Sequence, residues 1–339
     1  DFIQGIIMIV GIIAVVGAVL KSQGGFLAAL DGLARVSDPA VSDTPGVFAS
    51  FFGPDPVGLL GVVLLTSLGT WGLPQMVQKF YAIRSEKAID KGTIISTVFA
   101  AIVAGGCYFL GGFGRLFSDQ VDVAANGYDS IVPTMLEGLS TVLIAVVVIL
   151  VLSASMSTLS SLVLASSSTL TLDFIKDTIV KDMDEKRQIL TMRLLIVVFI
   201  AISVVLAIVQ YRSNVTFIAQ LMGVSWGALA GAFLAPFLYG LYWKKTTRGA
   251  CWVSFLFSTV VMLANIFFGK YFPTLLQSPI NAGAFCMLAG LIIVPVVSLV
   301  TPRLPQGQID RIFACYDRKV VVSVKDSIGD HTNPKEETP

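Results

Sequence analysis

Residues Leu139 to Thr171 read LSTVLIAVVVILVLSASMSTLSSLVLASSSTLT, and this stretch decides what kind of molecule the chain makes. It holds no charged residue and far exceeds the roughly 20 apolar residues that cross a hydrocarbon layer of about 30 Å. It is therefore a membrane span. At its centre stands the hydroxyl-rich block Ser153-Ala154-Ser155-Met156-Ser157-Thr158-Leu159-Ser160-Ser161. Oxygens at bilayer depth are suited to hold a small cation.

Outward from that segment the whole chain is of the same kind: 55% of its 339 residues are hydrophobic and 13% are charged. That composition is an integral membrane protein's. Its net charge of +1 points to no nucleic acid. Eight spans follow in order: Phe2 to Leu20, Val57 to Val77, Thr93 to Gly112, Leu139 to Ser168, Leu194 to Gln210, Val215 to Trp243, Ala250 to Phe268 and Ala282 to Val300. Each is a continuous apolar run, which predicts helices; a membrane barrel would show alternating segments of about ten residues.

Basic residues gather in alternate loops. Lys79, Arg84, Lys87 and Lys91 follow the second span, Lys176, Lys181, Lys186, Arg187 and Arg193 the fourth, and Lys244, Lys245 and Arg248 the sixth. With Arg303, Arg311, Arg318, Lys319, Lys325 and Lys335 in the tail, eighteen of the 23 basic residues share one side, which predicts a cytoplasmic face and a cytoplasmic C-terminus. Lys21, Arg35, Arg115, Arg212 and Lys270 fall on the other. Two regions result: a transmembrane domain over residues 1–302 and a polar tail over 303–339, mostly disordered, with a short helix around Asp310 to Arg318. The chain opens on Asp1, and its first span lacks a signal peptide's basic n-region and cleavage site, so it reads as a fragment or a processed chain.

Cys107, Cys251, Cys286 and Cys315 are isolated, and the single histidine, His331, lies in the tail, so zinc, haem and disulfide readings find no support. Glu137 sits alone at the outer end of its span. With no intramembrane nucleophile and base set, the chain is not an enzyme.

Two spans depart from regular helix. In the second, Ser67-Leu68-Gly69-Thr70-Trp71-Gly72-Leu73-Pro74-Gln75 places two glycines and a proline at mid-span. Pro74 has no N–H and its ring crowds the carbonyl of Thr70, so the helix is expected to break around Gly69, Gly72 and Pro74. Irregular backbone at that depth is tolerated where it lines a cavity, and its freed carbonyls then bind solute. The competing reading is that Gly69 and Gly72 simply admit a neighbouring helix. In the fourth span, Ala154 lies one turn before Ser157 and Thr158, so its carbonyl and their hydroxyls offer three oxygens to a hard cation such as Na+. Hydroxyls in membrane helices also bond the carbonyl a turn back, and Ser155, Ser160 and Ser161 compete for the inward position.

These motifs, with the basic loop Lys79 to Gly92, Ser167-Ser168-x-x-x-Leu172-Asp173 and Trp243-Lys244-Lys245-x-Thr247-x-Gly249-Ala250, together resemble the sodium:solute symporter family, over nearly all of Asp1 to Pro302. The resemblance implies an all-α polytopic membrane protein of LeuT-like inverted-repeat architecture in the cell membrane. Its first span would be the last helix of repeat one, its second to sixth spans repeat two, and the last two peripheral. The earlier helices have no counterpart in this chain. Position by position, it implies a Na+ site at the Ala154 carbonyl and the Ser157 and Thr158 hydroxyls. It places a substrate wall at Ser67, Thr70, Trp71 and Gly72, with Gln75 and Gln220 as further substrate contacts. A bend at Ser225-Trp226-Gly227 would close the site, and Asp1 would stand near the inner sodium path.

Gly111-x-x-Gly114-Arg115 and Asp129-x-x-x-Pro133-Thr134 look most like the pantothenate-type branch, with the proline type next. The chain departs from both at Gln75, where they commonly place histidine. The implied function is sodium-coupled import of a small organic solute by alternating access, with Na+ as coupling ion and solute and membrane lipid as partners. A proton-coupled carrier of the same fold is the alternative, disfavoured because these spans hold no buried Asp, Glu or His. A transporter-like sensor module is the other.

Overall fold

The computed structural model describes residues 2–39, 41–80, 83, 86–122, 127–213 and 218–317. Asp1, Arg84, Arg318, Lys319, Lys325, His331 and Lys335 lie outside them. Among the described residues the fold is helical throughout, with no strand. The principal helices are α1 (Phe2–Ser22), α2 (Phe26–Arg35), α3 (Pro56–Gly72), α4 (Pro74–Phe80), α5 (Glu86–Gly112) and α6 (Ile131–Glu137). They continue as α7 (Thr141–Thr169), α8 (Glu185–Ser213), α9 (Ile218–Tyr242), α10 (Arg248–Phe268), α11 (Pro279–Val300) and α12 (Gln306–Phe313).

Among the described residues seven helices are long and apolar enough to cross a membrane, and α3 is a shorter apolar helix of 17 residues. Each of the eight expected spans falls on helix, the second on two helices and the sixth from Ile218 onward, and the protein is a multi-pass membrane protein. What periodicity did not foresee lies between spans. The loop after α1 folds into α2, α6 precedes α7, and the tail helix α12 begins at Gln306, four residues before its expected start.

The chain forms two compact units, Asp1–Leu60 with Thr97–Met222 and Gly61–Ser96 with Gly223–Pro339. In the first, Val15 and Val19 of α1 join Ala29 and Leu33 of α2, Leu110 of α5, the 3₁₀ residues Phe113 and Phe117, and Met135 of α6 in one core, with Leu143 and Val147 of α7 packed against it. Arg115 ties this end together, its Nη1 2.7 Å from Asp38 Oδ2 and its guanidinium 4.8 Å from the Phe48 ring centroid.

The second unit packs through small residues. Gly227 and Gly283 bring α9 and α11 together so closely that a Cβ on Gly227 would stand 2.6 Å from the Gly283 Cα. Water-excluding contact of this kind is how membrane helices associate when lipid is as apolar as their side chains. Hydroxyls add to it: the buried Ser258 Oγ of α10 donates to the Gly227 carbonyl at 3.1 Å, and the Tyr239 hydroxyl of α9 to the Leu291 carbonyl of α11 at 2.9 Å.

Candidate functional site

The hydroxyl block lies within α7, which starts on Ser140 as N-cap and ends in a π-helical stretch, Leu170–Ile179. Its outer half faces α1: Leu143 and Val147 pack on the core, and a Cβ on Gly11 of α1 would meet Leu150 Cδ1 at 2.8 Å. Steps of three and four residues carry the same face inward through Ala154 to Thr158 and Ser161.

The hydroxyls on and beside that face are not equivalent. Ser160 Oγ donates to the Met156 carbonyl at 2.7 Å and Ser161 Oγ to the Thr158 carbonyl at 2.8 Å. Ser167 and Ser168 likewise donate to Leu164 and Ala165, each at 3.0 Å. Thr158 Oγ1, like the Ser153 and Ser155 hydroxyls, has no hydrogen bond among the described residues, and no side chain bonds the Ala154 carbonyl; of the three, Thr158 is the one a full turn beyond Ala154. Thr158 is exposed and Ala154 half-buried. The side chain of Ser157 lies outside the described residues. A free hydroxyl one turn beyond a carbonyl on the same face is a pair of hard oxygens without an intramolecular claim on the hydroxyl, which is what a reversibly bound alkali cation needs.

Sequence reasoning quoted Ser167 only within a motif, gave it no role and passed over Thr171; both are fully buried and one turn apart. Among the described residues Thr171 Oγ1 has no hydrogen-bond partner. The signal was present in the i, i+4 spacing, but so many hydroxyls crowd this segment that burial alone separates these two.

The expected helix break is at Leu73: α3 runs to Gly72 and α4 restarts with Pro74 at its first position, where the missing N–H is no loss. Met76 N–H donates to the Leu73 carbonyl at 2.9 Å, closing the new turn. Gly69 is not part of the break but lies inside regular helix.

The glycines of α3 make one face with Gly61 and Leu65, all buried. A Cβ on Gly69 would stand 3.1 Å from the Trp226 ring, and one on Gly72 2.8 Å from the Cα, Cβ and carbonyl oxygen of Ala230. Close approach to α9 thus accounts for both. Ser67 and Trp71 lie on the opposite, exposed face, Trp71 at 62%. Gly72 therefore does not share a wall with them. Thr70 Oγ1 donates back to the Ser67 carbonyl at 3.1 Å, so its hydroxyl is committed to its own helix.

Gln75, on α4, and Gln220, in the first turn of α9, are half-buried amides with no side-chain hydrogen bond among the described residues. α9 stays helical from Ile218 to Tyr242, through Ser225-Trp226-Gly227, where a bend was expected. Gly227 there serves the contact with α11. Its N-terminus is instead held by Asp129, whose carboxylate accepts the Ile218 N–H at 3.2 Å.

Comparison with known proteins bears on these residues. The chain matches the Sodium:solute symporter family over residues 1–258. It is 27% identical over 268 residues to the high-affinity proline transporter PutP of Bacillus subtilis (strain 168), covering 78% of this chain and 54% of that protein. It is 25% identical over 304 residues to the osmoregulated proline transporter OpuE of the same organism, covering 89% and 58%. Against a sodium/proline symporter of Staphylococcus aureus it is 25% identical over 310 residues, covering 90% and 57%. The chain thus spans a little over half the length of these relatives.

Proposed function

The chain belongs to the sodium:solute symporter family, a family of transporters and not of enzymes, and from that premise we propose that the whole protein is a sodium-coupled symporter importing a small organic solute. Proline is the first candidate, because the relatives named above are proline carriers. The motif likeness alone ranked pantothenate ahead of it. The observation that carries the sodium side is the uncommitted Thr158 hydroxyl one turn beyond the Ala154 carbonyl on α7.

Sodium enters as a transported ion. Ala154 supplies a carbonyl oxygen, Thr158 and Ser157 supply hydroxyls, and other helices of the whole protein complete the shell. The solute lies toward the break at Leu73, beside the open face of α3 carrying Ser67 and Trp71. There the last carbonyls of α3 have no helical partner and are free to bind it. Gln75 and Gln220 offer amides that can both donate and accept.

Coupling is reciprocal: whatever factor bound Na+ adds to solute affinity, bound solute adds to Na+ affinity. Alternating access follows in a LeuT-like frame, with α1 as the last helix of the first repeat, α3 to α9 as the second repeat, and α10 and α11 peripheral. The eighteen basic residues place their loops, and the tail from residue 303, in the cytoplasm of a cell whose plasma membrane the protein spans.

The test is uptake of labelled proline, pantothenate, a short carboxylate and a sugar by proteoliposomes holding the full-length protein. An inward sodium gradient is expected to drive proline uptake above that with potassium on both sides. Uptake driven equally well by a proton gradient without sodium would overturn the ion assignment.

A further inference from the structure

We propose that the pocket where α9, α10 and α12 meet binds one anionic phospholipid, its acyl chain against the aromatic wall and its headgroup between Lys244 and Arg248. The pocket has a volume of about 700 Å3 and lies wholly within the second unit. That volume is within the range of about 300–1,000 Å3 in which proteins hold small organic ligands.

Its wall is apolar. Phe233 of α9 and Phe255 of α10 stack edge to face at 5.8 Å, and Trp252 meets Phe255 at 5.9 Å. Ile309 and Phe313 of α12 close the far side, where Ile309 is buried and the Tyr316 hydroxyl donates to the Leu241 carbonyl at 2.8 Å, pinning the tail helix to the end of α9.

The pocket's hydroxyls are already engaged. Thr246 Oγ1 donates to the carbonyls of Tyr239 and Trp243, each at 3.0 Å, and Thr247 Oγ1 lies 2.5 Å from Thr301 Oγ1. The charged groups in the lining are two cations. Lys244 and Arg248 are exposed, and among the described residues neither has a carboxylate within 4.0 Å; Lys244 Nζ sits 5.5 Å above the Phe313 ring instead. Asp310 of α12 accepts from Gln306 Nε2 at 3.1 Å.

A ligand for this site needs a hydrophobic body and an anionic end. The wall offers a free polar metabolite little beyond the Trp243 and Trp252 indole N–H groups and the Cys251 thiol, and free phosphate would have no use for its apolar face. Position selects among amphiphiles. α9 ends at Tyr242 and α10 begins at Arg248, so the pocket stands where the apolar spans give way to the headgroup region, with Trp243 marking the boundary. The lipid that supplies negative charge there is an anionic phospholipid, and each nearby Lys or Arg is worth about a fivefold preference for it. The proposal rests on the membrane-spanning reading of the chain and is independent of transport.

The test is native mass spectrometry of the full-length protein from nanodiscs of phosphatidylglycerol and phosphatidylcholine, with lipid binding read directly as mass. The wild type is expected to retain one phosphatidylglycerol. K244Q/R248Q should reduce that retention about twenty-five-fold. The charge-keeping pair K244R/R248K should preserve it, and C251W, which fills the pocket, should abolish it. Equal retention of phosphatidylcholine, or retention unchanged in K244Q/R248Q, would overturn the proposal. So would full displacement by glycerol phosphate, which would mark a headgroup site without a chain. Lipid uptake seen only after deletion of residues 318–339 would show that this segment of the chain, and not lipid, is the occupant. Transport failure in the uptake experiment leaves each of these readouts intact.

Discussion

Thr158 differs from Ser160 and Ser161 by what its hydroxyl is not doing. Ser160 and Ser161 donate to carbonyls of their own helix at 2.7 and 2.8 Å, a bond any serine in a membrane helix makes cheaply. Thr158 leaves its oxygen open on the face that α7 turns toward α1. Removing a ligand oxygen worth about 1.4 kcal/mol shifts binding about tenfold. Thr158→Ala is therefore expected to raise the sodium concentration for half-maximal uptake about tenfold, while Ser160→Ala and Ser161→Ala leave it within about twofold. The hydroxyl block was legible in the sequence as a polar patch at bilayer depth. Which of its oxygens are free was not, because that is decided by rotamers settling onto the nearest carbonyl. The same limit hid Thr171, whose orphaned hydroxyl is identified by burial and not by spacing.

The helix break shows both the reach and the limit of local rules. A proline lacks an N–H and crowds the carbonyl four residues back, so an interruption beside Pro74 was to be expected, although Pro236 and Pro295 stand inside the continuous helices α9 and α11. The roles of Gly69 and Gly72 did not follow, because what they touch, Trp226 and Ala230, lies more than 150 positions away in the chain. Gly227, in the same helix, meets Gly283 of α11 in the same way, at a distance no sequence rule supplies. Gly72→Ala would press a Cβ into the Ala230 backbone and is expected to cost about 1–3 kcal/mol, read as a lower thermal midpoint of the full-length protein in detergent. Gly92→Ala, on α5 with nothing within 4 Å, is the control and is expected to hold or slightly raise that midpoint.

At the scale of the whole molecule, charge distribution and helix content were written in composition and in the spacing of basic clusters. The short helices between spans were not, since α2 and α6 are fixed by the core they share with α1 and α5. Orientation has a direct test: a cysteine at Lys245 in a background without the native cysteines is expected to react with an impermeant maleimide only from the cytoplasmic side, and one at Lys270 only from outside. The reverse pattern would invert the topology. The central claim, that α7 carries the coupling ion of a symporter, is tested most directly by the sodium activation curve of proline uptake in proteoliposomes of the full-length protein. Thr158→Ala is expected to move that curve about tenfold to higher sodium with its maximum largely kept, against Ser161→Ala as reference. Superimposable curves for wild type and Thr158→Ala would contradict the account, leaving the hydroxyls of α7 as packing groups.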